Sequence, residues 1–182
     1  EDLKKLIANN EYDSLEAKFT IPSLKDEQNF RYNKTLGGSA ILDNGIYPIS
    51  LISELAQYNL KLISKNVKYH KKYGIDKNGE AFFTSQQFKK INISWGMTGR
   101  YNNYVMLKRK EENILIPYFF SKPENTIPQI YLNDNLLKKT KNINQFRNLY
   151  KNFLNNEAEK FFYSSYSSLI NRYKIIEMLL ND

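Results

Sequence analysis

Ala81-Phe82-Phe83-Thr84-Ser85-Gln86-Gln87-Phe88 and Ile91-Asn92-Ile93-Ser94-Trp95 are followed, a few residues on, by Tyr104-Val105-Met106-Leu107-Lys108 and Ile114-Leu115-Ile116-Pro117-Tyr118-Phe119-Phe120. Each run alternates or is continuously apolar over a strand's length, and β-branched and aromatic residues fill it. Lys77-Asn78-Gly79 ahead of the first run is a hairpin signal, and the charged stretch 109–113 turns the third run into the fourth. Residues 60–62 and 67–69 add a strand region before them, and 130–132 add a short strand before the polar turn Asn133-Asp134-Asn135. Strands that follow one another through short turns pair as neighbours, so the sheet is expected to be mainly antiparallel.

The flanks change period. Leu3, Leu6 and Ile7 have helical spacing over 2–10 and stop at Asn9-Asn10. Leu15, Ala17, Phe19 and Ile21 alternate over 14–21, a strand ended by Pro22, and 23–38 reads as a polar loop. Pro48 opens an amphipathic helix carrying Ile49, Ile52, Leu55 and Ala56 to about Asn59. Beyond Asn144 come two helices, one lined by Phe146, Leu149, Tyr150 and Phe153. The other, from about 157 to 180, carries Phe161, Phe162, Leu169, Ile170, Tyr173, Ile176 and Leu179. The fold class this predicts is α+β: one domain over 1–182, an open sheet with helices packed on one face.

Composition narrows the function. The 182 residues hold no cysteine, which excludes disulfides, thiolate metal sites and a cysteine nucleophile. Lys and Arg number 27 against 19 acids, for a net charge of +8, but the lysines are scattered, so a solvated surface outweighs a nucleic-acid or membrane face. No apolar run reaches the length of a bilayer span and no signal-peptide pattern opens the chain, so a cytoplasmic protein is expected. His70, the single histidine, sits among lysines and reads as a surface residue; no metal site is expected. Carboxylate pairs such as Glu111-Glu112 lack an apolar frame that would tune them.

The stretch with chemistry in it is Asn29-Phe30-Arg31-Tyr32, then Leu36-Gly37-Gly38-Ser39-Ala40-Ile41-Leu42-Asp43-Asn44-Gly45-Ile46-Tyr47-Pro48-Ile49. It reads as a Gly-Gly turn, a short apolar segment, a polar turn and a proline-opened helix, with Tyr47 just before the helix. A tyrosine there can pass a proton to or from a carbonyl or hydroxyl when a neighbouring cation favours its ionised form. On these residues alone, an ordinary Asp-Asn-Gly turn beside a core-packed tyrosine is the simpler account.

The stretch resembles the Gfo/Idh/MocA oxidoreductases, in which a Gly-rich turn leads to an Asp and, four residues on, to a His or Tyr, the Tyr members continuing Tyr-Pro as at Tyr47-Pro48. Leu3 to Phe19 resembles the opening of that family's second domain, Trp95-Gly96-Met97 with Tyr101 and Asn103 a later strand pair, and Gln145-Phe146-Arg147-Asn148 its late helix. Within the family the pattern is most similar to members acting on nucleotide-linked keto-deoxysugars. The resemblance implies the C-terminal, glyceraldehyde-3-phosphate dehydrogenase-like domain of an NAD- or NADP-dependent enzyme that passes hydride between nicotinamide and a sugar carbon. Tyr47 would transfer the proton with a lysine of the nucleotide-binding domain, and Asp43 would order the site. Arg31, Tyr101 and Asn103 would meet the sugar or nucleotide-sugar substrate, Arg31 toward an anionic or hydroxyl-rich part of it.

Two departures stand out: Ser39 replaces the third glycine, and Lys108-Arg109-Lys110-Glu111-Glu112-Asn113 replaces a glycine-bearing hairpin. No glycine-rich phosphate loop follows a strand, and the Glu-Lys-Pro motif is missing, so the Rossmann domain is expected to lie outside this chain and no cofactor to bind it alone. The resemblance also implies a homo-oligomer formed through the sheet. A non-catalytic binding or dimerisation module that kept the fold is the competing account, and a nucleic-acid-binding domain, resting on charge and aromatics alone, ranks last.

Overall fold

The alternation over 14–20 places Leu15, Ala17 and Phe19 on one side of a strand, and that strand becomes the centre of the molecule. A computed structural model describes residues 3–4, 7, 12–26, 28–56, 59–97, 99–123, 125–140, 144–154 and 158–181. Eight strands form one sheet: β1 (Ser14–Thr20), β2 (Lys61–Tyr69), β3 (Asp76–Thr84), β4 (Lys90–Gly96), β5 (Asn102–Arg109), β6 (Glu112–Pro117), β7 (Gln129–Leu132) and β8 (Asn135–Lys139). Their spatial order is β2-β3-β4-β1-β5-β6-β7-β8. Among the described residues only β1 against β4 is parallel and the other pairings are antiparallel, so the expected mainly antiparallel α+β sheet is found, with one parallel step at its centre.

The helices are α1 (Ile46–Leu55), α2 (Gln145–Leu154) and α3 (Ala158–Leu180). Ile49, Ile52 and Leu55 of α1 and Ile175 and Leu179 of α3 are buried in one core with Ala17, Ile93, Trp95, Val105 and Ile114 of the sheet. Ser168 Oγ donates to Glu54 Oε1 at 2.7 Å and ties α3 to α1; this bond and the Lys4 ammonium hold the Glu54 carboxyl below its ordinary range. The expected helix over 2–10 lies largely outside the described residues, although Leu3 and Ile7 are described and buried. The side chains of Phe146, Leu149, Phe161 and Phe162 are also outside the description.

One turn and one strand differ from the sequence reading. Lys77-Asn78-Gly79 is not a turn but the body of β3, with Asn78 and Gly79 opposite Gly96 and Trp95 of β4. Gly79 is needed because the Trp95 ring lies against it: a Cβ there would meet Trp95 Cζ2 at 2.4 Å. The reversal between β2 and β3 comes earlier, where His70 O accepts from Gly74 N at 2.9 Å and Gly74 takes φ +62°. Asn133-Asp134 was seen as a turn, but β8 after it was not; φ values of 47° and 66° there make a two-residue hairpin of the kind that matches strand twist. Gly79→Ala is therefore expected to destabilise the chain by about 1–3 kcal/mol through overpacking against Trp95, whereas a turn glycine at φ < 0 would tolerate alanine. Chemical denaturation measures the difference.

The outer face of the sheet is divided. Met106, Leu115, Tyr131 and Leu136 form an apolar row across β5 to β8, while Glu16, Asn92, Ser94 and Glu80 make the other half largely polar, with Phe82 exposed among them. Tyr104 donates to Glu16 Oε1 at 2.5 Å on this face; burial and the carboxylate push its phenol well above the usual value.

Candidate functional site

The segment 40–55 is one continuous helical path. A π-helical turn at Ile41–Gly45 runs straight into α1, so Tyr47 lies inside the first turn of α1 and not ahead of it, and Pro48 is the third residue of α1. The expected Asp-Asn-Gly turn is thus helical. A proline ring in a regular helix meets the carbonyl four residues back, here that of Asn44, and the wider π turn falls on that residue. Gly45 lets the helix lie on the core, since a Cβ would meet Ile41 Cγ1 at 2.9 Å and Trp95 Cγ at 3.1 Å.

Asp76 anchors this segment and went unseen in the sequence. Its carboxylate is buried at 3% exposure and accepts from the Ser39 hydroxyl, from Ile41 N at 2.8 Å and from Trp95 Nε1 at 3.1 Å. Ser39, the residue in place of a glycine, thereby gains a specific role, and its Oγ also accepts from Leu42 N at 3.2 Å. A carboxylate next to Ile75 in a strand was the available signal; its partners are 19 to 37 residues away and no local pattern connects them.

The loop before the helix is folded by its own side chains. Asn29 Oδ1 accepts from Arg31 N at 3.1 Å and Asn33 Oδ1 from Thr35 N at 3.0 Å, while Gly37 adopts φ +78°. A Cβ at Gly38 would meet the carbonyl oxygens of Arg31 and Asn33 at 2.5 and 2.7 Å, so its backbone is covered by the chain itself. This glycine pair is consequently no cradle for a dinucleotide's phosphates. Nor do they include any group of three or more His, Asp or Glu able to hold a metal ion.

Tyr47 stands over Phe19 at the end of β1, edge-on at 5.1 Å between ring centroids. Phe19 also meets Tyr101 at 6.3 Å and Phe120 at 5.8 Å, so four rings make one wall. Tyr47 is 44% exposed, and its hydroxyl has no hydrogen-bond partner among the described residues. Asn103 is buried, and its amide is fully engaged: Oδ1 accepts from Phe120 N at 2.9 Å, and Nδ2 donates to Tyr101 Oη at 2.9 Å and to Ser121 O. Asp43 lies one helical turn before Tyr47 and pairs with Arg31, Asp43 Oδ2 to Arg31 Nε at 2.9 Å. The structure therefore joins Tyr47 with Tyr101 and Asn103 around Phe19, and Arg31 with Asp43 beside them. Phe19 and Phe120, central to the wall, were read in the sequence only as strand residues. A phenol exposed on an apolar wall beside a charge-neutral ion pair can exchange a proton with a bound carbonyl or hydroxyl.

No family model matches the chain. It is 25% identical over 119 residues, 65% of its length, to dTDP-3,4-didehydro-2,6-dideoxy-alpha-D-glucose 3-reductase of Actinomadura kijaniata, and 26% identical over 117 residues to the enzyme so named from Streptomyces antibioticus. The resemblance to sugar-nucleotide oxidoreductases of the Gfo/Idh/MocA type holds. The matched segment spans 36% and 35% of those two relatives. Among solved structures, a variant of the A. kijaniata 3-ketoreductase in complex with TDP-benzene and NADP aligns over 97% of this chain and 55% of its own, with TM-score 0.76 at 20% identity. A UDP-N-acetylglucosamine 3-dehydrogenase from Acidithiobacillus ferrooxidans aligns over 87% of this chain and 49% of its own, with TM-score 0.59 at 13% identity. These likenesses establish a shared fold. No helix among the described residues is long and apolar enough to cross a membrane.

Proposed function

We propose that this chain is the substrate-side domain, with a glyceraldehyde-3-phosphate dehydrogenase-like fold, of an NAD(P)-dependent oxidoreductase acting at a keto or hydroxyl carbon of a nucleotide-linked sugar. The observation that carries the reading is Tyr47: a side chain 44% exposed, its hydroxyl bonded to no described residue, at a helix start, on an aromatic wall one turn from the Arg31–Asp43 pair. Nicotinamide, which a separate Rossmann domain would hold, would supply or accept the hydride. Tyr47 gives a proton to the sugar oxygen, or takes one from it. The exposed rings of Tyr47 and Tyr101, with Phe19 buried behind them, offer apolar surface to the sugar's C–H groups and limit the water around the phenol. Tyr101 contacts substrate, whereas Asn103 acts through others by fixing Tyr101 and the 118–121 loop. Asp43 orients Arg31 toward substrate hydroxyls. Self-association of the complete enzyme through the outer sheet face is supported by the Met106-Leu115-Tyr131-Leu136 row.

The test joins these 182 residues to their nucleotide-binding domain and follows nicotinamide absorbance with a dTDP-keto-deoxysugar. Turnover is expected from the joined protein, and calorimetric titration of the 182-residue chain alone is expected to show no NADP binding. Micromolar dinucleotide binding by the chain alone would sink the division of labour, and a joined protein inert toward every nucleotide sugar would sink the activity.

A further inference from the structure

Among the described residues, five that are not glycine hold positive φ: Asn59, Lys110, Tyr118, Asn133 and Asp134. Asn and Asp enter that region readily because their short side chains bond the nearby backbone, and Lys110 sits in the turn between β5 and β6. Tyr118 is different: an aromatic residue at φ +53°, just past the end of β6. There its Cβ crowds the following carbonyl oxygen, a strain that glycine would not carry.

The backbone conformation itself is used. Tyr118 N donates to Asn103 O at 2.7 Å, and the chain then bends so that Phe120 N donates to Asn103 Oδ1 at 2.9 Å and Ser121 O accepts from Asn103 Nδ2. That bend needs the conformation and not the ring. The Tyr118 hydroxyl has no hydrogen-bond partner among the described residues, the residue is 43% exposed, and it is no part of the hydrophobic core. A tyrosine at this point therefore strains the fold without packing it.

What the ring does meet is the candidate site. It lies 6.5 Å from the Tyr101 ring with 31° between the planes, and Tyr101 in turn meets Phe19 beneath Tyr47. The aromatic wall thus has a fifth ring at its outer end. Strain that a turn does not require, at the rim of a site, points to work done by the side chain. We propose that Tyr118 is a substrate-binding residue, its ring held out by the strained backbone to pack on C–H groups of the sugar. This rests on the reading that the substrate is a nucleotide-linked sugar. It adds that the chain gives up stability to keep this ring in place.

The test uses the complete enzyme, these residues joined to the nucleotide-binding domain, and a pair of variants. Tyr118→Asn suits the backbone conformation and relieves its strain; Tyr118→Phe keeps ring and strain and removes only the hydroxyl. Tyr118→Asn is expected to raise the melting temperature by about 2–4 °C. It should also raise KM for a dTDP-keto-deoxysugar about three- to tenfold, with kcat and the KM for NADPH unchanged. Tyr118→Phe is expected to match the parent in melting temperature and in KM. A melting temperature for Tyr118→Asn at or below the parent's would overturn the proposal, because the ring would then hold the fold. A higher one with the parental KM for the sugar would overturn it too, leaving the oxidoreductase activity standing. A loss confined to the KM for NADPH would overturn it by placing the ring against the nucleotide-binding domain, and an equal loss in Tyr118→Phe would overturn the ring contact in favour of the hydroxyl. A joined protein inert toward every nucleotide sugar would overturn both the proposal and the activity on which it rests.

Discussion

Tyr47→Phe in the complete enzyme is expected to slow turnover roughly a hundredfold or more, the usual size of a lost general acid or base, while leaving the fold unchanged. The substitution removes one oxygen and nothing that packs. Phenylalanine keeps the edge-on contact with Phe19 and the approach to Phe120, and the hydroxyl it deletes bonds to no described group. Thermal melting of the variant should therefore match the parent within about 0.5 kcal/mol, as for a surface change. Steady-state kinetics with a dTDP-keto-deoxysugar reads the first effect and calorimetry the second. Unchanged turnover would remove Tyr47 from the proton's path. A large loss of stability would mean instead that the hydroxyl holds structure.

The largest effect on stability is expected from Asp76→Ala. Three donors converge on that carboxylate: the Ser39 hydroxyl, the Ile41 backbone N–H and the Trp95 indole N–H. Alanine would leave them facing a small void in the core, and each buried unpaired group costs on the order of 1–3 kcal/mol. With partial relaxation, a loss of about 3–5 kcal/mol follows, or roughly 6–20 °C in melting temperature for a domain of this size. Trp95→Phe, which removes a single donor and keeps most of the ring, should cost less than half as much. A melting temperature for Asp76→Ala within about 2 °C of the parent would show that the cluster is not what fixes the helix under Tyr47.

What the sequence disclosed follows the range of the forces involved. The strands from β3 to β6 were readable because alternation is local, and β1 was readable for the same reason in Leu15, Ala17 and Phe19. The Asn78-Gly79 pair misled because its glycine answers to a tryptophan on the neighbouring strand, sixteen residues away. β8 was missed because all five of its residues are exposed and Asn135-Leu136-Leu137-Lys138-Lys139 has no alternation to see. At the site, Tyr47, Asp43 and Arg31 were singled out by a motif, but the motif did not say that Arg31 and Asp43 bind each other. Asp76, Phe19 and Phe120 belong to the site only through contacts between distant segments, and Asn103 proved a brace for its neighbours.

The placing of β1 bears on how the chain is made. The central strand is synthesised before either of its neighbours, since Ser14 pairs with Lys90 on one side and Lys108 on the other. At ribosomal speeds of about 5–20 residues per second, Leu15, Ala17 and Phe19 wait roughly 4–15 s for the first of those partners to emerge. Throughout that interval both edges of a strand with one apolar face stand open, a template for any other extended chain nearby. The residue that later supports Tyr47, Phe19, is thus open to misassembly for the whole of that interval. Expression yield should depend on chaperone supply and temperature more steeply than the finished sheet's stability would suggest.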